Sequence, residues 1–570
     1  QICSRLDGIP LAIELAAASV KVLSVEQIMT RLEDRFRLLT AGSRTALPRH
    51  QTLRATMDWS YGLLLEKEQV LFRRLSVFPC SFSLEAAEGI CPDQDIERDL
   101  LIDLLQRLVD KSLVTVEPGE RAFRYRLLET VRQYGQEKLR GLGEADRVSN
   151  RHLEFFCRFA QTAEVKLCGG EQLEWLEFLE NENDNLRTAL RWSQLAPNRI
   201  DQGLRLAGAL WRFWEVRGYL SEGREWLDGI LSRIDAGTAP TPAQADTLNA
   251  AGRLALFQGD WQAARQSYET SLAIWRKLGP ESQPGIVMSL IGLGRVAFRL
   301  ADLDRARSYY EASLDMARAL GDEWKTAAAL MGLGLVASTQ DDNISAVTLN
   351  EESLAICRKL QDKIGIAASL KYLGDFNCLL GNLDRAWQLD QESLAICREL
   401  GDKVGIAMSL NHLGDVAFRR GDYAQAKSLY EEGLDIVQNL GIKGSITMAL
   451  NDLGALALAE GDPDRALACY RESLNFAREL GSTWDIGWCL EGIASVATVK
   501  GRSKDAACIL SAVELVFKNN GFRARPYDRA EHDRKLATLR QQLDQETFAT
   551  VWAQGGAMNV QAAIAYAAQI

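Results

Sequence analysis

The residues that could do catalytic chemistry are few and poorly spaced for it. Four histidines, His50, His152, His412 and His532, stand far apart. None falls in the His-x-x-x-His or His-Glu-x-x-His pattern that sets two imidazoles on one helix face around zinc. The eleven cysteines form no Cys-x-x-Cys pair and read as small buried apolar residues of a reducing compartment. There is no Gly-x-Ser-x-Gly elbow for a nucleophile, and no Gly-Lys pair such as ends a phosphate-cradling loop. Adjacent acids such as Glu351-Glu352 and Glu431-Glu432 return at one place in a repeated pattern, as solvated positions of a helix do. The chain is therefore expected not to be an enzyme and to hold no metal. The chemistry left to it is recognition by polar side chains set at a fixed interval.

That interval is the strongest signal in the sequence. A Leu-x-x-Leu-Gly cluster places Gly294, Gly334, Gly374, Gly414 and Gly454 each 40 residues apart. An alanine follows each glycine by 12 residues (Ala306, Ala346, Ala386, Ala426, Ala466), and the same offset extends the ladder to Gly252 with Ala264 and to Ala494 with Ala506. Seven self-similar units of this length make a solenoid. Within one unit, Val404 to Lys443, apolar residues recur at helical spacing in two blocks. Gly421-Asp422 divides them by supplying a left-handed turn and then an N-cap oxygen. Each unit is thus a helical hairpin, and Gly414 and Ala426 mark where its two helices must approach closely.

This arrangement of small and large positions resembles the tetratricopeptide repeat (TPR), lengthened as in kinesin light chains and bacterial signal-transduction ATPases. The resemblance implies that the first helix of each unit lines a concave face. The positions it projects there are Met288, Ile291, Arg295, Phe298 and Arg299, then Ala368, Lys371 and Asp375. Next come Met408, Asn411, Asp415, Phe418 and Arg419, followed by Met448, Asn451, Ala455 and Leu458. Asn249, Asn411 and Asn451 are candidate contacts to an extended peptide, since one amide both donates and accepts; the other reading makes them solvated residues of a polar helix face. A protein, peptide or small inducer is the expected occupant.

Ahead of the repeats, Gly8-Ile9-Pro10-Leu11 followed by AIELAAA, and the string from Trp59 to Cys91, resemble the carboxyl half of an NB-ARC domain. The match is to STAND regulators of the AfsR and LuxR-like kind. The resemblance implies that Pro10 packs on the adenine of ATP or ADP in an intact parent. Its local alternative is a proline shaping a helix start. From Gln51 to Glu137 the pattern is three helices, then a hairpin turning at Pro118-Gly119, which looks like a winged helix. Its candidate recognition helix, Glu97 to Lys111, holds four acids (Glu97, Asp99, Asp103, Asp110) against Arg98, Arg107 and Lys111, a poor surface for reading DNA. Where the family has Met-His-Asp at the nucleotide phosphate, this chain has Leu127-Leu128-Glu129. Only Glu129 keeps a carboxylate there. No cofactor is expected for this chain itself.

The expected fold class is all-α: a TPR superhelix preceded by a helical subdomain and a small winged helix with a β-hairpin. The boundaries read as 1–48 (helical end of the NB-ARC domain), 49–140 (winged helix), 141–240 (helical linker), 241–521 (seven repeats) and 522–570 (helical cap). Trp211, Trp214 and Trp226 suggest a buried aromatic seam in the linker, and Ala236 to Pro242 is the clearest break. A composition of 47% hydrophobic and 25% charged residues is that of a globular protein, and a net charge of −11 disfavours a broad nucleic-acid surface. Without a membrane span or signal peptide, the chain reads as cytoplasmic. Its first residues are already mid-helix in character, as in a fragment of something longer. Three functions follow: a non-catalytic sensor and scaffold of a signalling or transcriptional regulator, a DNA-binding transcription factor, or part of an ATP-dependent switch.

Overall fold

The computed structural model describes residues 53–570 apart from 120–121, 197, 236 and 520–525. The helical subdomain expected at 1–48, with Pro10, lies outside the described residues. The chain forms two units, one running to Ala160 and including Phe178–Leu206, the other made of Gln161–Glu177 and Ala207–Ile570. Residues 141–240, read from sequence as a helical linker, are divided between the two units.

The first unit contains the winged helix: α1 (Leu53–Gly62), α2 (Glu66–Leu75), β1 (Ser81–Phe82), α3 (Leu84–Ile90), α4 (Leu101–Asp110), β2 (Thr115–Pro118), β3 (Phe123–Arg126) and α5 (Glu129–Gly141). Helix α2 starts with the Glu68 carboxylate accepting from the Leu65 amide, and buries Val70, Leu71, Phe72 and Leu75. The expected hairpin gains a third strand, in the order β1-β3-β2, with Ser81 opposite Arg126 and Thr115 opposite that same arginine. Two residues of β1 are too few to show a period of two in sequence. The recognition helix is shorter than its expected span, a 3-10 turn at Arg98–Leu100 leading into α4. Helix α6 (Ala145–Lys166) belongs to this unit up to Ala160 and α7 (Gln172–Asn181) only from Phe178, while α8 (Asn183–Leu195) and most of α9 (Ile200–Ala209) complete it. His152 is buried there between Phe78 and Phe156.

In the second unit, α10 (Trp211–Arg217) and α11 (Leu220–Leu231) precede seven helical hairpins. These are α12–α13 (Pro242–Phe257, Trp261–Leu278), α14–α15 (Gln283–Arg299, Leu303–Leu320), α16–α17 (Glu323–Thr339, Asn343–Leu360), α18–α19 (Lys363–Leu379, Leu383–Leu400), α20–α21 (Lys403–Arg419, Tyr423–Leu440), α22–α23 (Lys443–Ala459, Pro463–Leu480) and α24–α25 (Thr483–Val499, Ser503–Asn519). The Gly421-Asp422 turn forms as expected: Gly421 takes φ +80°, and the Asp422 side chain accepts from the Gln425 amide. Of the aromatic seam only Trp214 is fully buried; Trp211 and Trp226 are half-buried. Glu351, Glu352, Glu431 and Glu432 are exposed. Inter-repeat bridges Arg318–Glu352, Arg358–Glu392 and Arg398–Glu432 use two of them.

The ladder glycines make room for a second group besides the paired alanine, whose carbonyl lies 3.3 Å from a Cβ on Gly334 where Ala346 is the partner. A Cβ on Gly414 would lie 2.4 Å from Cε1 of Tyr430, 16 residues on, and Gly252, Gly294 and Gly454 meet Tyr268, Tyr310 and Tyr470 in the same way. The glycine two residues before the next ladder position (Gly292, Gly332, Gly492) clears the other side of Tyr268, Tyr310 and Tyr470. Each of these three rings is therefore a wedge between the first helices of two successive repeats. The middle of the array departs from the rule: Asn350 and Asp390 replace tyrosine, and Tyr372, His412 and Asp452 replace the second glycine.

The α10 segment lies across the turns between repeats. Arg212 pairs with Asp362 at 2.9 Å, Arg217 donates to the Leu400 carbonyl at 2.9 Å, and a Cβ on Gly218 would touch Leu440 at 2.6 Å. At the far end α26 (Pro526–Gln542), α27 (Gln545–Gly556) and α28 (Val560–Ala567) bring Leu539, Ala563, Ile564 and Ala567 onto Ile509, Leu510 and Val513 of the last repeat. This is the cover that a solenoid needs over its last hydrophobic face. Among the described residues no helix is long and apolar enough to cross a membrane.

Candidate functional site

First-helix residues at a common offset from the ladder glycine do not all reach open solvent. Three residues before the glycine, Asn249, Lys371 and Asn411 are buried and Asn451 is half-buried. They sit in the seam between successive first helices. The Asn249 Oδ1 accepts from the Ser289 hydroxyl at 2.9 Å, Asn411 donates to Asp452 at 2.8 Å, and the Cys489 thiol points at the Asn451 Oδ1 at 3.5 Å. The neighbouring repeat thus takes up one polar atom of each of these three amides. The Lys371 ammonium lies 3.3 Å from the Met408 sulfur and over the Tyr372 ring.

One residue beyond the glycine, Asp375 and Asp415 are half-buried, as are Met408, Phe418 and Arg419. Asp415 accepts from the Tyr430 hydroxyl at 2.7 Å, and Arg419 donates to the Cys378 carbonyl at 3.3 Å. Phe418 packs on Tyr423. Asp375 and Asp415 act on a further carboxylate that the spacing analysis passed over. Asp390, on α19, is fully buried against Gly374, where a Cβ would meet its carboxylate at 2.4 Å. Neither carboxylate oxygen has a hydrogen-bond partner, and the nearest cationisable group is the His412 Nδ1 at 3.9 Å. Burial, then Asp375 and Asp415, push the Asp390 pKa up to about 9, against the opposing pull of Lys371. Asp415 is likewise raised well above the usual carboxylate range by burial and by Asp452, and Tyr430 is raised by burial and by Asp415. Four carboxylates, Asp375, Asp390, Asp415 and Asp452, thus share one region of the fourth to sixth repeats with Lys371, Arg419 and His412. His412, read from sequence as an ordinary surface or groove histidine, is half-buried beside Asp390. The signal that could have found this site is the break in the tyrosine ladder at position 390.

The other candidate, Glu129, opens α5. Its carboxylate is held by Arg132 through two 2.7 Å hydrogen bonds and accepts from Gln133 at 3.0 Å. On the candidate recognition helix two of the three basic groups are engaged, Lys111 with Glu68 at 2.5 Å and Arg98 with Glu88 at 2.9 Å, while Arg107, Asp99 and Asp103 are exposed. Among the described residues no group of three or more His, Cys, Asp and Glu side chains is arranged to hold a metal ion.

Parts of the chain are similar to known proteins. A "Putative HTH-type transcriptional regulator" of Mycobacterium tuberculosis is 45% identical over 231 residues, 40% of this chain and 26% of that protein. An "Uncharacterized protein" of the same organism is 46% identical over 153 residues, 27% of this chain and 39% of that protein. The chain thus spans about a quarter to two fifths of the length of these relatives. Among solved structures, a STAND protein with a tetratricopeptide repeat sensor from Pyrococcus horikoshii is similar at 15% identity and TM-score 0.45. That match covers 93% of this chain and 71% of the other. A Rap protein complexed with Competence and Sporulation Factor is similar at 13% identity and TM-score 0.45, covering 69% of this chain and 100% of the other. The family description "Winged helix-turn-helix domain" matches residues 64–140. Two descriptions named "Tetratricopeptide repeat" match 243–319, 285–359 and 365–439, and 411–479. Residues 243–479 therefore carry tetratricopeptide repeats behind a winged helix-turn-helix domain at 64–140.

Proposed function

We propose that this chain is the partner-binding arm of a signalling or transcriptional regulator, with a protein, peptide or small inducer received on the inner face of the repeats. The observation that carries this reading is the gathering of Asp375, Asp415, Met408, Phe418 and Arg419, none of them fully buried, on consecutive first helices behind a winged helix-turn-helix domain. A solenoid presents such a surface without a catalytic constellation. Binding signals only if the ligand prefers one arrangement of the whole regulator over another. In a parent carrying a phosphate-binding loop, that preference would bias an ATP- or ADP-dependent switch, to which Pro10 and Glu129 would contribute.

The test is a displayed library of random dodecapeptides panned on the full chain, with affinities then measured on wild type and on Met408→Glu and Asn451→Ala variants. Binders weakened by both substitutions support the reading. Binders indifferent to both, or none at all, overturn it. A second reading, direct DNA binding, is favoured by the winged helix-turn-helix match, but the engaged Lys111 and Arg98 and the exposed Asp99 and Asp103 weigh against it. A salt-dependent mobility shift with random duplex DNA decides between the two.

A further inference from the structure

The first six repeats end their second helices on a leucine, and those of the third to sixth, Leu360, Leu400, Leu440 and Leu480, are met in turn by earlier parts of the second unit. The Leu360 carbonyl lies 3.7 Å from a Cβ on Gly169, and the Leu400 carbonyl accepts from Arg217 at 2.9 Å. A Leu440 methyl stands 2.6 Å from a Cβ on Gly218, and a Leu480 methyl 2.4 Å from a Cβ on Gly259. Both partners advance along the sequence together, so the α10–α11 hairpin and the first repeat lie against the edge of the later repeats and the coil closes on itself. Leu278 and Leu320, at the same place in the first two repeats, are exposed. Gly218 and Gly259 are turn glycines at φ +77° and +80°. Gly381, Gly421 and Gly461, in the matching turns of later repeats, have nothing within 4 Å of an added Cβ among the described residues.

The contacts along this edge are unequal. At the third repeat the Asp362 carboxylate pairs with the buried Arg212 at 2.9 Å and accepts from Gln172 at 2.5 Å and Trp324 at 2.8 Å. Parting that cluster would strand a buried charge. At the fifth and sixth repeats a leucine methyl rests on a glycine, a contact of dispersion and apolar burial that parts far more readily. The closed coil is also narrow inside. Tyr372 of the fourth repeat is near enough to act electrostatically on Arg253 of the first and Tyr310 of the second. Glu215 of α10 accepts two further hydrogen bonds from Arg253, at 2.8 and 2.7 Å.

We propose that the Gly218–Leu440 and Gly259–Leu480 contacts are a latch, with the Asp362 cluster as its hinge, and that a peptide reaches the inner face of the repeats only when the latch end parts. This rests on the partner-binding reading above and names what regulates that site. The inner face is competent only in the open fraction, and the apparent affinity is reduced by that fraction. A partner that binds the open coil alone holds it open.

The experiment uses the full chain. Leu440→Ala with Leu480→Ala removes both methyl contacts, and Leu278→Ala with Leu320→Ala is the control, the same change where the leucines are exposed. Without peptide, native-state amide exchange should speed by roughly tenfold at the Gly218 and Gly259 turns of the latch variant, while protection at the Asp362 turn stays. The control should match the wild type. Peptides from the dodecapeptide library, panned on wild type and on the latch variant, should bind the latch variant roughly tenfold more tightly. Far-ultraviolet circular dichroism checks that the helices are intact. If the latch variant does not fold, Arg217→Gln carries the test: it gives up the bond to the Leu400 carbonyl without hollowing a repeat and should move both readings the same way.

Exchange that speeds equally at the Gly218, Gly259 and Asp362 turns, or at none of them, overturns the latch. Peptides that hold wild type and latch variant equally, or hold the latch variant more weakly, overturn the gating and leave the partner-binding reading intact. No binder to either protein overturns that reading, and the gating with it.

Discussion

Adding one methyl group at Gly414 is the sharpest test of the tyrosine wedge. The new Cβ would stand 2.4 Å and 2.6 Å from Cε1 and Cδ1 of Tyr430, so the ring must retreat by about 1 Å to restore ordinary contact. It has little freedom to do so, being buried, with its hydroxyl tied to Asp415 at 2.7 Å. Overpacking of this kind costs about 1–3 kcal/mol, from which the helical preference of alanine over glycine returns about 0.5–1 kcal/mol. Gly414→Ala should therefore destabilise the fifth repeat by about 0.5–2 kcal/mol net. Gly444, with nothing within 4 Å of its added Cβ, serves as the control, and Gly444→Ala should stabilise by up to about 1 kcal/mol. Since a solenoid need not unfold as one unit, the suitable assay is native-state amide exchange read repeat by repeat. In a Tyr430→Leu background the clash is gone, and Gly414→Ala should become neutral or stabilising. A cost at Gly414 that persists in that background would refute the wedge; a stabilising Gly414→Ala in the wild type would do so outright.

Ala301 holds a left-handed backbone (φ 57°) at a turn where other repeats place glycine, so Ala301→Gly should raise stability by about 0.5–1 kcal/mol in urea unfolding. Removing Asp362 strands the buried Arg212 guanidinium; Asp362→Ala should cost about 3–5 kcal/mol and lower exchange protection in both α10 and the turn before α18. A loss below about 1 kcal/mol would mean the pair is not formed. Burial pushes the His152 pKa down to about 4, so the neutral ring's contribution is complete above its ordinary pKa of 6.5. It is lost as pH falls through 4. Thermal unfolding of the first unit should drop over that window, and His152→Phe should flatten the drop.

The ladder was legible because each unit repeats the same packing problem, and 40-residue self-similarity survives any uncertainty about helix ends. Gly421-Asp422 announced its turn for the same reason: only local geometry was needed. The second partner of each ladder glycine was harder to read. The spacing pointed to Ala426, and the ring that also fills the gap belongs to Tyr430, four residues further along the same helix. That identity depends on how two helices cross, which no single-helix period records. The same limit governs the site. Asn411 and Lys371 sit at the expected offset from the glycine, yet neighbouring repeats bury them, and Asp390 lies on a second helix that the concave-face reading did not include. Strand β1 escaped notice because it exists only by pairing with Tyr125 and Arg126.

The contacts of α10 also govern how this protein must be made. Arg217 reaches the Leu400 carbonyl across 183 residues of sequence, and Arg212 reaches Asp362 across 150. At about 5–20 residues per second of synthesis, α10 waits about 10–40 s before its Leu400 partner has been polymerised. Through that interval the charged face of α10 has no native partner, while the early repeats can already stack on one another. Completion of the array is then a late, long-range closure added to an otherwise local assembly line. Slow synthesis, or a break anywhere between 218 and 361, would leave α10 and the Asp362 turn as the last elements to find their places.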